Sequence, residues 1–191
     1  IVNIQLKKYG GDLAIGASRI INSIAFTFVM IILGLTQGMQ PIIGYNYGAK
    51  LQHRVLSTLK KGMIAGFVIT TIGFLVAELC PRLIASAFTN DEEMINLSIT
   101  GFRLFMLAFP IVGMQIVASN FFQAIGKAKI AIFLSLTRQL LFLIPALYLM
   151  PLILELNGVW LSTAVADFLS AFVSLWVLVV AIKKMKKEIS L

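Results

Sequence analysis

"LAIGASRIINSIAFTFVMIILGLTQGMQPIIGYNYGAK", Leu13 to Lys50, decides the fold. From Leu13 to Leu35 it is almost wholly apolar, with Arg19 as its single charge. A bilayer core about 30 Å thick is crossed by roughly 20 apolar residues of helix, and this run is long enough. Its second half departs from that chemistry, with Gln37, Gln40, Pro41 and Asn46 among Gly34, Gly38, Gly44 and Gly48. Pro41 has no N–H, so the carbonyl of Gln37 loses its helical partner and a bend is expected there. In hydrocarbon that carbonyl must find another donor or face protein or water. Two readings are open: a kinked helix end anchored at the interface by Tyr45 and Tyr47, or a hinge at Pro41 lining an inward-facing cavity. The glycine pairs, each four apart, predict close approach of another helix.

The rest of the chain has the same pattern. Of 191 residues, 59% are hydrophobic and 13% charged, with a mean hydropathy of +0.95. A soluble domain of this size needs more polar surface than that. The expected fold is an all-α integral membrane protein. Helices are predicted over 12-48, 62-88, 96-125, 129-152 and 158-184. Residues 1-11 read as the end of a truncated helix and an outer turn, because "IVNIQL" opens in mid-pattern without the features of a signal peptide. That makes a bundle of five full transmembrane helices plus the end of a sixth, cut from a longer protein.

The formal charge of +8 does not indicate nucleic acid, because the basic residues lie between apolar runs rather than on one soluble face. They set topology instead. Lys50, Arg54, Lys60, Lys61, Lys127, Lys129, Lys183, Lys184, Lys186 and Lys187 fall on one side if the helices alternate. Lys7, Lys8 and Arg82 fall on the other, with Asp12, Asp91, Glu92, Glu93 and Glu155. This bias places the C-terminus in the cytoplasm. Cys80 is the only cysteine, which excludes an intrachain disulfide, and it is expected to pack as a small hydrophobe. His53, the only histidine, lies in a basic loop, so a zinc site built from Cys and His is excluded. No phosphate-binding glycine motif and no catalytic residue is identified, and no enzyme activity or cofactor is expected.

Ionisable side chains within spans cost roughly 2.5–3.5 kcal/mol at the bilayer centre on insertion scales. Arg19, Arg103, Arg138 and Asp167 are such residues, and their depths permit one intramembrane charge network. Either it locks helices together, or it faces a transport cavity and changes pairing with state. Glu78 is expected to pair with Arg82. Asn22, Phe26, Met30, Gln37, Gln40 and Gln115 are candidates for a substrate cavity, since aromatics and methionine pack varied organic surfaces and amides orient them. Gly158, Ser162, Ala166, Ser170 and Ser174, at every fourth position, predict a small-residue packing seam.

"GMQPIIGYNYGAK" (38–50), with "YGGDLAIGA" (9–17) before it and "FFQAIGKAK" (121–129) and "NGVWLSTAVADFLS" (157–170) after it, resembles the C-terminal half of a MATE-family multidrug exporter. The resemblance covers nearly the whole chain. It implies one lobe of a twelve-helix two-lobe transporter, in which amphipathic organic compounds or drugs leave by H+ or Na+ antiport with alternating access. The implied partners are a small-molecule substrate, the lipid bilayer and a missing N-terminal lobe, and the implied location is the bacterial inner membrane. The coupling ion cannot be assigned to residues here. Relatives' cation-site carboxylates on the truncated helix and the third span have no matching acid. Three intramembrane arginines keep open an alternative, an exporter or flippase of anionic or lipid-linked substrates in the same superfamily.

Overall fold

Two residues decide how often the chain crosses. In the computed structural model, which describes residues 1–189 (side chains for 1–185), α1 runs Val2–Gly48 and α7 runs Ile144–Ile189. Straight helices of that length would reach about 70 Å, twice a bilayer core. Each is interrupted once. Gly11 adopts φ 65, ψ −159 and Glu155 adopts φ 49, ψ −128. At Glu155 the chain folds back on itself. The Ser162 hydroxyl donates to the Ala146 carbonyl at 2.9 Å, atoms that a continuous helix would hold roughly 24 Å apart. A Cβ on Gly158 would overlap the Met150 carbonyl, so only glycine fits this reversal. At Gly11 the φ of 65 favours glycine for a different reason, the left-handed backbone itself.

Among the described residues four helical stretches are long and apolar enough to cross a membrane: Val2–Gly48, Gln52–Leu79, Glu92–Ala124 and Ala128–Met185. The reversal at Glu155 makes two crossings of the last. The result is five crossings and a leading helical end. Their bounds differ from the expected ones where local chemistry intervenes. The second, α2 (Gln52–Leu79), begins well before residue 62. It stops at Cys80, whose non-helical φ of −127 and ψ of 38 precede Pro81 and the separate short helix α3 (Pro81–Ser86). The third begins with α4 (Glu92–Phe105) rather than at residue 96, because the Asp91 carboxylate accepts from the Glu93 and Met94 N–H groups. Glu92 and Glu93 in its first turn also suit the helix dipole. A 3₁₀ turn at Met106–Ala108 joins it to α5 (Phe109–Ala124). The fourth crossing starts as α6 (Ala128–Leu136), widens into a π-helical turn at Thr137–Leu143 and continues into α7.

Close backbone approach holds α2 to α5. A Cβ on Gly113 would overlap the Gly66 carbonyl. One turn on, the Thr70 hydroxyl donates to the Pro110 carbonyl at 2.9 Å. The last crossing meets α1 through Trp160, whose indole N–H donates to Ser18 Oγ at 2.8 Å. Its predicted seam is buried at every position, from Gly158 through Ser162, Ala166, Ser170 and Ser174. The glycine pairs of α1 behave otherwise: nothing lies within 4 Å of a Cβ at Gly34, Gly38 or Gly48, and Gly44 alone meets a neighbour, the Ala124 carbonyl. Cys80 is exposed rather than packed, since the helix break at that residue turns it outward.

Two apolar clusters close the ends of the lobe. One contains Met39, Ile43, Val55, Leu59, Phe122 and Met185, and so gathers the ends adjoining the basic loops. Lys50, Arg54, Lys60, Lys61, Lys127, Lys129, Lys183 and Lys184 flank that cluster in sequence. The side chains of Lys186 and Lys187 lie outside the described residues. The other cluster contains Leu6, Ala14, Phe102, Leu147 and Trp160. Between the ends, Phe67 and Ile72 on α2, Phe133 on α6, and Phe168, Phe172 and Trp176 on α7 are exposed. In a bilayer such a surface meets acyl chains at no cost.

Candidate functional site: an amphipathic cavity pair with a buried ion pair

The middle of α1 faces α4, α5, the π-helical turn and the last crossing across two adjoining cavities. The first, of ≈ 410 Å³, is walled by Phe26, Val29, Phe105 and Phe109, with Asn22, Ser23, Arg138 and Asp167 as its polar groups. The second, of ≈ 290 Å³, is walled by Leu33, Ile116 and Leu134, with Gln115, Ser119, Asn120, Ser135, Arg138 and Ser174. Val29, Val112 and Arg138 border both, so the Arg138 guanidinium stands at their junction.

Arg138 Nε donates to Asp167 Oδ1. The Asp167 side chain is 7% exposed and that of Arg138 35%, so the acid is sealed while the base reaches the cavities. Burying one charge without the other would cost several kcal/mol, on the order of 3–5. The pair is thus the condition for Asp167 being in the wall at all. Arg138 is carried by the π-helical turn, an irregularity often found at functional positions. Asp167 is anchored from its other side: its backbone carbonyl accepts from Ser170 Oγ at 3.1 Å, and Ser170 Oγ accepts from Gln115 Nε2 at 2.9 Å.

The expected network of four charges is divided. Arg138 and Asp167 come together, whereas Arg103 lies 3.6 Å from Glu78 on a half-exposed face. Arg82 instead pairs with Glu92 at 2.9 Å, because α4 begins early enough to bring that acid to it. Arg19 is exposed and has no acidic partner among the described residues. Of the cavity candidates, Asn22 and Phe26 line the first cavity and Gln115 the second. Gln40 lines a small crevice with Thr36 and Met39. Met30 and Gln37 are exposed and line none of these spaces. The α1 helix continues through Pro41 to Gly48 with Gly11 as its one non-helical residue. Sequence reasoning missed Phe105, Phe109, Asn120 and Ser135. A three-and-four stripe through Phe105, Phe109, Val112 and Ile116 was visible, but apolar stripes facing lipid have the same spacing.

Asn22 Nδ2 and the Ser23 and Thr27 hydroxyls donate to carbonyls one turn back, at 2.7, 2.9 and 2.9 Å. These bonds satisfy the donors within the helix, so the polar face of α1 can stand in an apolar medium. Among the described residues no group of His, Cys, Asp and Glu could hold a metal ion.

These features define one lobe of a multi-pass membrane protein whose inner face carries a mixed apolar and polar cavity. The family model MatE matches residues 1–149, and the chain belongs to that family. It is similar to the multidrug export protein MepA of Staphylococcus haemolyticus, at 24% identity over 93% of this chain, and to MepA of Staphylococcus aureus, at 23% over 92%. The chain spans 38% of the length of these curated relatives. Among solved structures it resembles the MATE multidrug transporter DinF-BH, at 35% identity and TM-score 0.79, over 91% of this chain and 39% of that one. An outward-facing multidrug resistance MATE family transporter of the MOP superfamily superposes with TM-score 0.90 at 19% identity, over 97% of this chain and 42% of that one. At that identity the match shows the fold alone.

Proposed function

We propose that this chain is the C-terminal lobe of a secondary active exporter, which expels amphipathic organic compounds in exchange for H+ or Na+ by alternating access. The observation carrying this reading is the cavity pair. Phe26, Phe105, Phe109 and Val29 offer adaptable apolar surface, and Asn22, Gln115 and the Arg138–Asp167 pair supply a few polar groups in the same wall. Such a wall suits ligands with an apolar body and a polar end. Membership in the MatE family and the similarity to multidrug export proteins support it. The missing partner is an N-terminal lobe that closes over the cavities and rocks against this one. The membrane is the bacterial inner membrane, with the basic ends and the C-terminus in the cytoplasm. No cofactor and no nucleic acid takes part.

Dye efflux by the full-length protein in proteoliposomes, with pH and sodium gradients imposed separately, tests this. One gradient is expected to drive efflux and the other to be without effect. Absence of efflux under both would overturn the reading. A second reading, export of anionic or lipid-linked substrates, is favoured by Arg19, which is exposed and has no acidic partner among the described residues. One structural neighbour from Pyrococcus furiosus is described as having a binding pocket of reverse polarity that suggests a different function. Uptake of a lipid-linked sugar in place of a cationic dye would select this alternative.

A further inference from the structure

We infer that the second cavity is a subsite for a neutral group carrying both a hydrogen-bond acceptor and an N–H or O–H donor, a secondary amide being its simplest form. This rests on the export reading and names the chemical class that the exporter selects. Gln115 and Ser174 line the cavity and are 8% and 0% exposed, yet Gln115 Oε1 and Ser174 Oγ have no hydrogen-bond partner. The orientation of the Gln115 amide is determined by its neighbours. Gln115 Nε2 donates to Ser170 Oγ, which in turn donates to the Asp167 carbonyl, and this arrangement leaves Oε1 unmatched. Gln115 therefore presents an acceptor that calls for a donor.

The remaining groups call for the opposite. Ser174 carries a free hydroxyl proton, and Arg138 engages Asp167 through Nε, leaving its terminal nitrogens for the junction. Ser119 and Ser135 add hydroxyls to the same wall. The local charge is balanced, since Arg138 is matched by Asp167. A cationic group would meet the guanidinium, and an anionic group would leave Gln115 Oε1 without the donor it lacks. A neutral donor–acceptor group satisfies all of them. Its apolar body extends past Arg138 into the first cavity, against Val29, Phe105 and Phe109. Because an unsatisfied buried polar group is costly, a ligand that pairs it gains what the empty cavity lacks.

The test uses full-length protein in lipid nanodiscs and two fluorescent ligands with the same aromatic body, one a secondary amide and the other its N-methylated form. Methylation removes the donor and keeps the carbonyl, and because it also adds a methyl group and loosens the trans preference of the amide, the donor is read from the change in preference between wild type and Gln115→Met. Wild type is expected to bind the secondary amide about 10-fold more tightly. In Gln115→Met that preference is expected to fall to about 1. In Ser174→Ala both ligands are expected to weaken by similar factors, about 5-fold, because both keep the carbonyl. The Ser174 arm decides if Gln115→Met does not fold. Equal binding of the two ligands by wild type would overturn the proposal and leave the cavity a water-filled gap, as would a preference that survives Gln115→Met. Binding is read without transport, so a protein that discriminates between the ligands yet exports neither keeps the subsite and loses the export reading.

Discussion

At the scale of single residues, Arg138 and Asp167 carry the greatest consequence. Replacing Arg138 by Leu leaves a sealed carboxylate without its partner and is expected to destabilise the full-length protein by about 3 kcal/mol. Asp167→Asn is expected to cost less, because the freed guanidinium is 35% exposed and can turn to the cavity. Replacing both by leucine is expected to recover most of the loss, since a buried pair exchanged for apolar groups is often close to neutral. Thermal unfolding in detergent measures all three, and an Arg138→Leu protein as stable as wild type would remove the structural role of the pair. The Arg82–Glu92 pair offers a contrast. Its side chains are 63% and 66% exposed, so Glu92→Gln should change stability by no more than about 0.5 kcal/mol. Both acids were visible in the sequence, but their burial was not. Helix spacing placed Asp167 at mid-membrane depth, and only the packing of the π-helical turn against the last crossing chose Arg138 over Arg19 and Arg103 as its partner.

Between elements, backbone-to-backbone contact does what side chains do elsewhere. At the α2–α5 crossing, a Cβ on Gly113 would overlap the Gly66 carbonyl, whereas one on Gly66 would meet the Gly113 carbonyl oxygen at 3.0 Å. Gly113→Ala is therefore expected to lower the melting temperature clearly more than Gly66→Ala, and the reverse order would contradict this crossing. The π-helical turn makes a second element-scale claim. Deleting Leu141, which faces outward, would return Thr137–Leu143 to α-helical pairing; because the widened turn accommodates one extra residue, the flanking helices would stay in register while the side chains within the turn, Arg138 among them, would be re-aimed. Arg138 would leave Asp167, and loss of ligand binding by the full-length protein is the expected outcome. Neither feature was legible in advance. The seam of the last crossing was, because five small residues recur at every fourth position from Gly158 to Ser174. The glycines of α1 misled for the complementary reason: Gly34 and Gly38 have the same spacing and face open space. Spacing identifies a face, not what covers it.

For the whole molecule, topology gives the sharpest prediction. The basic loops share one end of the lobe and the turn containing Asn90 lies at the other. In a Cys80→Ser background of the full-length protein, a cysteine at Asn90 is expected to react with a membrane-impermeant maleimide on intact cells. A cysteine at Ala128 is expected to react only after the membrane is opened. Labelling in the opposite order would invert the assigned orientation. Native Cys80, exposed near the Asn90 end, should report the same side as that residue.

What the chain's sequence determined by itself was the solvent and the all-α, multi-pass character of the fold. A bilayer demands long apolar helices, and hydropathy and length are additive along a chain, so they can be counted without coordinates. Charge bias between spans is additive too, which is why the loops sort onto two ends. The tertiary structure alone decided which helix faces meet, hence which arginine neutralises Asp167, which candidates border a cavity and which glycines are crowded. Those are relations between residues far apart in sequence, such as Gln115 and Ser170 or Ser18 and Trp160. Rotation of one helix by a fraction of a turn would exchange them while leaving every hydropathy window unchanged.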